Sequence, residues 1–261
     1  MPPAATPALF IGHGSPMNAI EDNEFSRRWR EVGAALPRPQ AIVCISAHWE
    51  TSGTQVTAMD RPRTIHDFVG FPPELFAVEY PAPGAPALAQ DTRTLVKSAH
   101  VGLDQRWGLD HGTWSVLRHL FPAADVPTLQ ISLDRTRSPQ QHYDLACELA
   151  ALRRKGVLVV GSGNIVHNLR VLNWEDMETP YDWALESDSE IRRCIVAHDH
   201  ERLIDYRRLG AWATLAVPTL EHYLPMLYVL ALQEEGDEVR FFNERVLSSL
   251  SMTAFSVAGA P

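Results

Sequence analysis

The stretch Val157-Leu-Val-Val-Gly-Ser-Gly-Asn-Ile-Val-His167 decides the fold class, because it joins a strand-forming apolar run to a glycine-rich turn. The valine-rich run predicts a buried strand from Val157 to Gly161, of the kind found in parallel sheets. The turn lacks the spacing of a Walker loop and the G-x-G-x-x-G pattern, so it does not predict a nucleotide site. We therefore expect it to direct Asn164 and His167 into the crevice beyond the strand.

An apolar run followed by a histidine occurs twice more, earlier in the chain. His13 follows Ala8–Gly12 and His48 follows Ala41–Ala47, while His222 comes just before a further apolar stretch. Side chains beyond the carboxyl ends of strands converge on one crevice in open α/β sheets, and imidazole is the commonest protein ligand for a transition metal. The pattern predicts that these three histidines and the one after the turn share a metal site. The alternatives are a surface histidine in the first loop and a hydrogen-bonded core histidine after the second run.

The remaining pattern favours one α/β domain, with a central, mostly parallel or mixed β-sheet flanked by helices. Helices are predicted at Asn23–Ala35, Pro86–Ala99, Gly112–Leu120, Ser138–Arg154 and Glu186–His198. Further strands are predicted at Thr54–Met59, Pro127–Leu133, Val239–Phe242 and Leu250–Val257. Residues 60–86 contain six prolines, which predicts a long loop without regular structure. Its aromatic side chains either wall a pocket or pin the loop to the body.

Charge and cysteine content narrow the possible partners and location. The net charge of −9 over 261 residues argues against nonspecific binding to nucleic acid or to anionic membranes. The three widely spaced cysteines predict no disulfide framework, which suits a reducing compartment. Residues 1–7 do not resemble a signal peptide, and no apolar stretch is long enough for a membrane span. We expect a cytoplasmic protein whose single catalytic domain spans residues 1–261.

Several other residues are candidates for the site. His111, in the segment Asp110-His-Gly112, suits an acid–base residue or a hydrogen-bond donor to substrate, although Asp110 could simply cap a helix. Ser15, His66 and Trp114 lie close in sequence to candidate site residues, and we expect them to contact substrate. For His66 the alternative is an ordinary exposed side chain. The five other histidines are expected to be solvated: His100, His119, His142, His198 and His200.

Seven segments, in order, resemble the class III extradiol ring-cleavage dioxygenases, and among them the 4,5-DOPA dioxygenase group. They are Leu9–Met17, Ser46–Trp49, Thr64–Phe68, Tyr80–Gly84, Asp110–Trp114, Gly161–Asn168 and Glu221–Pro225. The resemblance runs from residue 8 to about residue 257. It implies an α/β domain that binds one divalent ion, Fe(II) or Zn(II), and uses O₂ to open a catechol ring.

Carried over residue by residue, the resemblance implies roles for the histidines. His13, His48 and His222 would be metal ligands, and His167 would be a fourth ligand or the acid–base residue beside the metal. His111 would be the second active-site histidine. Better-known class III enzymes use two histidines and a glutamate, so Glu221 is the alternative to His222.

Two other functions remain open at this point. The same histidines could hold zinc for hydrolysis of an amide or ester, or form a noncatalytic metal-binding module. The sequence does not contain the Gly-x-Ser-x-Gly or His-Glu-x-x-His motif of common hydrolases. It leaves open which catechol is the substrate, which metal is bound and what the oligomeric state is.

Overall fold

An eight-stranded mixed sheet forms the centre of the computed structural model, which describes residues 5–259. The strands are β1 (Ala8–Gly12), β2 (Ala41–Thr51), β3 (Thr54–Thr57), β4 (Val101–Asp104), β5 (Thr128–Asp134), β6 (Val157–Gly163), β7 (Asp237–Phe242), β8 (Val246–Leu247), β9 (Leu250–Ser251) and β10 (Ala254–Gly259). The order in the sheet is β4-β3-β5-β2-β6-β1-β10-β7, and β8 pairs with β9 separately. The four central strands, β5, β2, β6 and β1, run parallel, so their carboxyl ends meet at one edge.

Helices cover both faces of this sheet. They are α1 (Glu24–Ala35), α2 (Pro73–Phe76), α3 (Pro86–Leu95), α4 (His111–Leu120), α5 (Pro139–Glu148), α6 (Ala151–Arg154), α7 (Asp182–Val196), α8 (His200–Ile204), α9 (Ala213–Ala216) and α10 (Leu224–Leu230). Successive strand residues alternate between two cores: Ile42 and Cys44 pack with α1 and α4, whereas Val43 and Ile45 pack with α5 and α10. The predicted single α/β domain with a mixed sheet is confirmed.

Several element boundaries differ from the sequence prediction. The helix predicted at Ser138–Arg154 is two helices, because Leu149 and Ala150 bond to carbonyls three residues back and tighten the backbone into a turn. The strand predicted at Leu250–Val257 is divided into β9 and β10. Strand β4 was not predicted, since Val101–Asp104 is short and only partly buried. The proline-rich loop contains one helical turn, α2.

Two histidines that were expected to be solvated are buried. His119 is hydrogen-bonded to the carbonyl of Asn18, and His142 to the carbonyl of Asp134 and the hydroxyl of Tyr228. α4 is buried on nearly all sides and α5 packs its His142 face inward, so protein groups replace water as hydrogen-bond partners there. Within residues 5–259, no helix has the length and apolar character needed to cross a membrane.

Candidate metal centre and active site

The carboxyl ends of three neighbouring parallel strands bring His13, His48 and His222 together. His13 directly follows β1, and its backbone N–H donates to the Gly163 carbonyl at the end of β6. His48 lies within β2, beyond the predicted strand end, where the pairing register with β5 shifts. Such an irregularity turns a side chain away from the regular pleat. One ring nitrogen from each histidine lies within 4.8 Å of the others.

The glycines of the turn after β6 allow the third histidine to approach. A Cβ added at Gly163 would lie 2.2 Å from the His222 carbonyl oxygen, and one at Gly161 would lie 2.4 Å from the Pro225 carbonyl oxygen. The segment before α10 therefore packs directly against the backbone of β6. Asn164, which we expected to face the crevice, instead donates from its amide to the Ser251 carbonyl, so its side chain is structural.

The hydrogen bonds around this cluster determine which ring nitrogens are free. Ser162 donates its only hydroxyl proton to the Gly112 carbonyl, so it must accept a proton from His13 Nδ1, 3.0 Å away. His222 Nδ1 faces Glu221 Oε1 at 3.3 Å. His48 Nδ1 faces a carboxylate oxygen of Asp67 at 3.6 Å. In all three rings the Nδ1 side faces an oxygen acceptor, which leaves the Nε2 lone pairs for a common centre.

This arrangement fits a divalent metal ion. The Nε2 atoms of His13 and His48 are 3.1 Å apart, so two lone pairs facing each other there require a proton or a metal cation between them. Metal-binding histidines usually donate their second ring N–H to an oxygen in this way. Burial, followed by the neighbouring histidines, holds the pKa of His13 and of His222 well below the ordinary range, and burial lowers the pKa of His48 to about 3. The neutral imidazoles that a metal requires are therefore present at pH 7.

His167 contacts this cluster, but its ring nitrogens do not group with all three proposed ligands. Its ring stacks on that of His222, with centroids 3.5 Å apart and planes inclined by 7°. It groups with Glu221 and His222 rather than with His13 and His48. Burial lowers the pKa of His167 to about 4, although Glu221 acts in the opposite direction. The ring is thus neutral at pH 7 and able to accept a proton.

His111 stands on the other side of the cluster, at the first position of α4. Its ring centroid is 3.8 Å from that of His48. Asp110 caps the helix by accepting from the Thr113 N–H, as the alternative interpretation held. The partner of His111 is Asp67, which accepts from both its Nδ1 and its backbone N–H at 2.9 Å. Burial alone would raise the pKa of Asp67, but the hydrogen bond from His111 and the nearby rings hold it below its ordinary value.

Asp67 was missed in the sequence analysis. It lies beside His66 in Thr64–Phe68, one of the segments that resemble the dioxygenase family. That resemblance indicated a functional region. Nothing in the sequence linked it to a histidine 44 positions away.

A cavity of about 230 Å³ opens above these histidines. His13, His48, His111, His167 and His222 line its base, and Ser15 lies at its side. The walls are mostly apolar and comprise Phe68, Phe71, Leu169, Leu172, Trp174, Met177 and Leu250. The segment from Leu169 to Met177 was not predicted to take part. An aromatic ring therefore fits between apolar walls and a base of imidazoles.

Two predicted substrate contacts lie behind this wall. His66 donates from Nε2 to the Val78 carbonyl, and Trp114 is fully buried and donates to the Ile65 carbonyl. Neither side chain lines the cavity. Both pack against Phe68, with ring centroids 5.8 and 6.2 Å from it, and so support a side chain that does line the cavity.

Comparison with known proteins identifies the family. The family described as the catalytic LigB subunit of aromatic ring-opening dioxygenase matches residues 7–257. This chain belongs to that family. A 4,5-DOPA dioxygenase extradiol of Escherichia coli K12 is 45% identical over 96% of this chain and 94% of its own length. One from Beta vulgaris is 35% identical over 90% of each chain.

A solved structure leads to the same family assignment. The crystal structure of an uncharacterised protein from Escherichia coli K12 superposes on this LigB-family chain with a TM-score of 0.85. The two are 41% identical, and the match covers 97% of this chain and 99% of the other. The prediction of an extradiol ring-cleavage dioxygenase is confirmed, and the zinc-hydrolase alternative is not favoured. The family is metal dependent, and its reaction takes a small molecule and O₂.

Proposed function

We propose that this LigB-family dioxygenase cleaves a DOPA-like catechol, with Fe(II) held by His13, His48 and His222. The observation that carries the proposal is the convergence of one ring nitrogen from each of three histidines at the base of an apolar cavity. The curated relatives named as 4,5-DOPA dioxygenases support the choice of substrate class.

The donor set suits oxygenase chemistry better than a structural site. Three protein ligands leave coordination positions for other molecules, whereas structural zinc sites are closed by four. When bound, Fe(II) would supply Lewis acidity toward the catechol hydroxyls and electron transfer toward O₂. Redox-inert Zn(II) would supply only the Lewis acidity. Glu221 contacts His222 Nδ1, which favours His222 as the ligand and Glu221 as its partner.

The chain's own residues then position the substrate and move protons. His167 accepts a proton from a catechol hydroxyl, since its ring is neutral and lines the cavity. His111 carries its proton on Nδ1, which leaves Nε2 to accept a hydrogen bond from substrate. Ser15 contacts the substrate at the side of the cavity, and Phe68 and Trp174 pack against its ring. His66 and Trp114 act indirectly, by supporting Phe68.

Two further features belong to this proposal. We place the protein in the cytoplasm, which the three free cysteines support. We also treat residues 1–261 as one catalytic domain, because the family match spans nearly all of them.

The test is anaerobic reconstitution with Fe(II) or with Zn(II), followed by addition of DOPA and air. We expect oxygen uptake and a yellow ring-fission product with Fe(II) and neither with Zn(II). A protein that consumes no oxygen with any catechol after loading with Fe(II) would contradict the proposed function. Oxygen uptake with other catechols but not DOPA would contradict only the substrate class.

A further inference from the structure

Asp67 is a carboxylate that contacts both a proposed metal ligand, His48, and a proposed acid–base residue, His111. Its Oδ1 accepts from the backbone N–H and from Nδ1 of His111, both at 2.9 Å. Its other oxygen lies 3.6 Å from His48 Nδ1. The Asp67 side chain is 18% exposed, although the residue as a whole lies at the surface. The proline-rich loop thus reaches across to β2 and to the start of α4.

A carboxylate in this position determines where two imidazoles carry their protons. An ionised carboxylate can only accept, so it requires the proton of His111 on Nδ1. A lone pair on His48 Nδ1 would be repelled by the second oxygen, so Asp67 favours the proton of His48 on Nδ1 over the other position, on Nε2 between His48 and His13. Both Nε2 atoms are then left with lone pairs, one toward the metal centre and one toward the cavity.

The same contacts place part of the substrate wall. Phe68 follows Asp67 directly, and its ring meets the edge of the His111 ring at a centroid distance of 5.5 Å. Phe68 also contacts Phe71 and Phe76, so the aromatic side chains of the loop form one group. The anchoring of Asp67 on α4 therefore holds this group beside the histidines.

From these contacts we propose that Asp67 is a positioning residue, which sets the tautomers of His48 and His111 together and so couples metal binding to proton transfer. The proposal rests on the metal site proposed above. It assigns to the long loop a role in ligand geometry as well as in forming the pocket wall. Carboxylate partners of metal-binding histidines contribute about 10–100-fold to metal affinity or activity.

Asp67→Asn tests this with a side chain of nearly the same shape. The amide oxygen can keep both contacts with His111, while the NH₂ group replaces the oxygen that faces His48 Nδ1. We expect His48 to move its proton to Nε2, which removes the lone pair needed by a metal. In metal-free protein, ¹⁵N NMR of the histidine rings should show this change of tautomer. The dissociation constant for Zn(II), measured by competition with a chelator, should rise about 10–100-fold.

Asp60→Asn is the matched control, because Asp60 is an exposed carboxylate in the same loop. It should keep the tautomers and the Zn(II) affinity of the wild type. A purely structural role for Asp67 would lower thermal stability while leaving the ring protons in place. If Asp67→Asn keeps the wild-type tautomers and Zn(II) affinity, the proposal is wrong. If the wild type itself binds no divalent ion, the proposed function fails, and the NMR comparison still decides the role of Asp67.

Discussion

His167 shows how the surroundings of one residue determine its chemistry. Its ring lies nearly parallel to that of His222, and its backbone N–H is held by the Ala216 carbonyl. Stacking restrains the orientation of the His167 ring. The ring nitrogens do not belong to the group formed by His13, His48 and His222. This placement favours the acid–base role over that of a fourth ligand.

We expect His167→Ala to reduce kcat by about 10²–10⁴-fold, the usual contribution of positioned proton transfer. Metal content should be retained, because the three proposed ligands are intact. Oxygen uptake and metal analysis on the same preparation measure both quantities. The control is His100→Ala, which removes an exposed histidine that does not line the cavity. Full turnover by His167→Ala would remove this residue from the mechanism.

At the level of elements, the site depends on how closely the segment before α10 packs on β6. Gly163 allows this contact because any side chain there would meet the His222 carbonyl. The same segment is tied by the Asn164 N–H, which donates to the same carbonyl. The position of one proposed ligand is thus set by backbone packing between two elements.

Gly163→Ala should separate these elements and impair the site. Overpacking of a close contact typically costs about 1–3 kcal/mol, and we expect that loss in the free energy of unfolding together with weaker Zn(II) binding. Urea unfolding and chelator competition measure the two effects. Gly259→Ala is the control, since an added Cβ there would meet only Asp237 Oδ1, at 4.0 Å. Equal losses in the two variants would refute the packing argument.

A second contact between elements should appear in the pH dependence of stability. His142 on α5 donates from Nε2 to the Asp134 carbonyl and accepts at Nδ1 from the Tyr228 hydroxyl on α10. Burial lowers the pKa of His142 to about 4, against an ordinary value of about 6.5. Between these values the unfolded chain binds a proton that the folded chain does not, so stability falls as the pH falls.

We expect this residue to contribute about 2–3 kcal/mol to the loss of unfolding free energy between pH 7.5 and pH 4.5. In His142→Gln, the loss of unfolding free energy over this pH range should be smaller than in the wild type by about that amount. Urea unfolding at several pH values provides the comparison, and His100→Gln should follow the wild type. A wild-type pH dependence in His142→Gln would show that the buried imidazole does not titrate as inferred.

At the scale of the whole molecule, the proposed metal site joins distant parts of the chain. His13 lies near the start, His48 in β2 and His222 some 170 positions later, just before α10. A metal held by all three would therefore stabilise the folded domain but not the unfolded chain.

Zn(II) at about 100 times its dissociation constant should add about 2.7 kcal/mol of stability. For a domain of this size, that corresponds to a rise in Tm of about 5–10 °C over the chelator-treated protein. Calorimetry with and without the ion measures it. His13→Ala, which removes one proposed ligand, should show little of this rise. An identical Tm in Zn(II) and in chelator would argue against a site that spans the fold.

The sequence by itself determined the central strands and the histidines at their ends, because local hydrophobic patterning specifies a buried strand and α/β topology places its carboxyl end. It could not place β4, which is short and partly exposed, or the break between α5 and α6. Only the tertiary structure decided which oxygens face the imidazoles. Ser162 is 149 positions from His13, and Asp67 is 44 positions from His111. Such pairings depend on how helices, strands and loops pack across the sheet, so a local sequence pattern does not predict them.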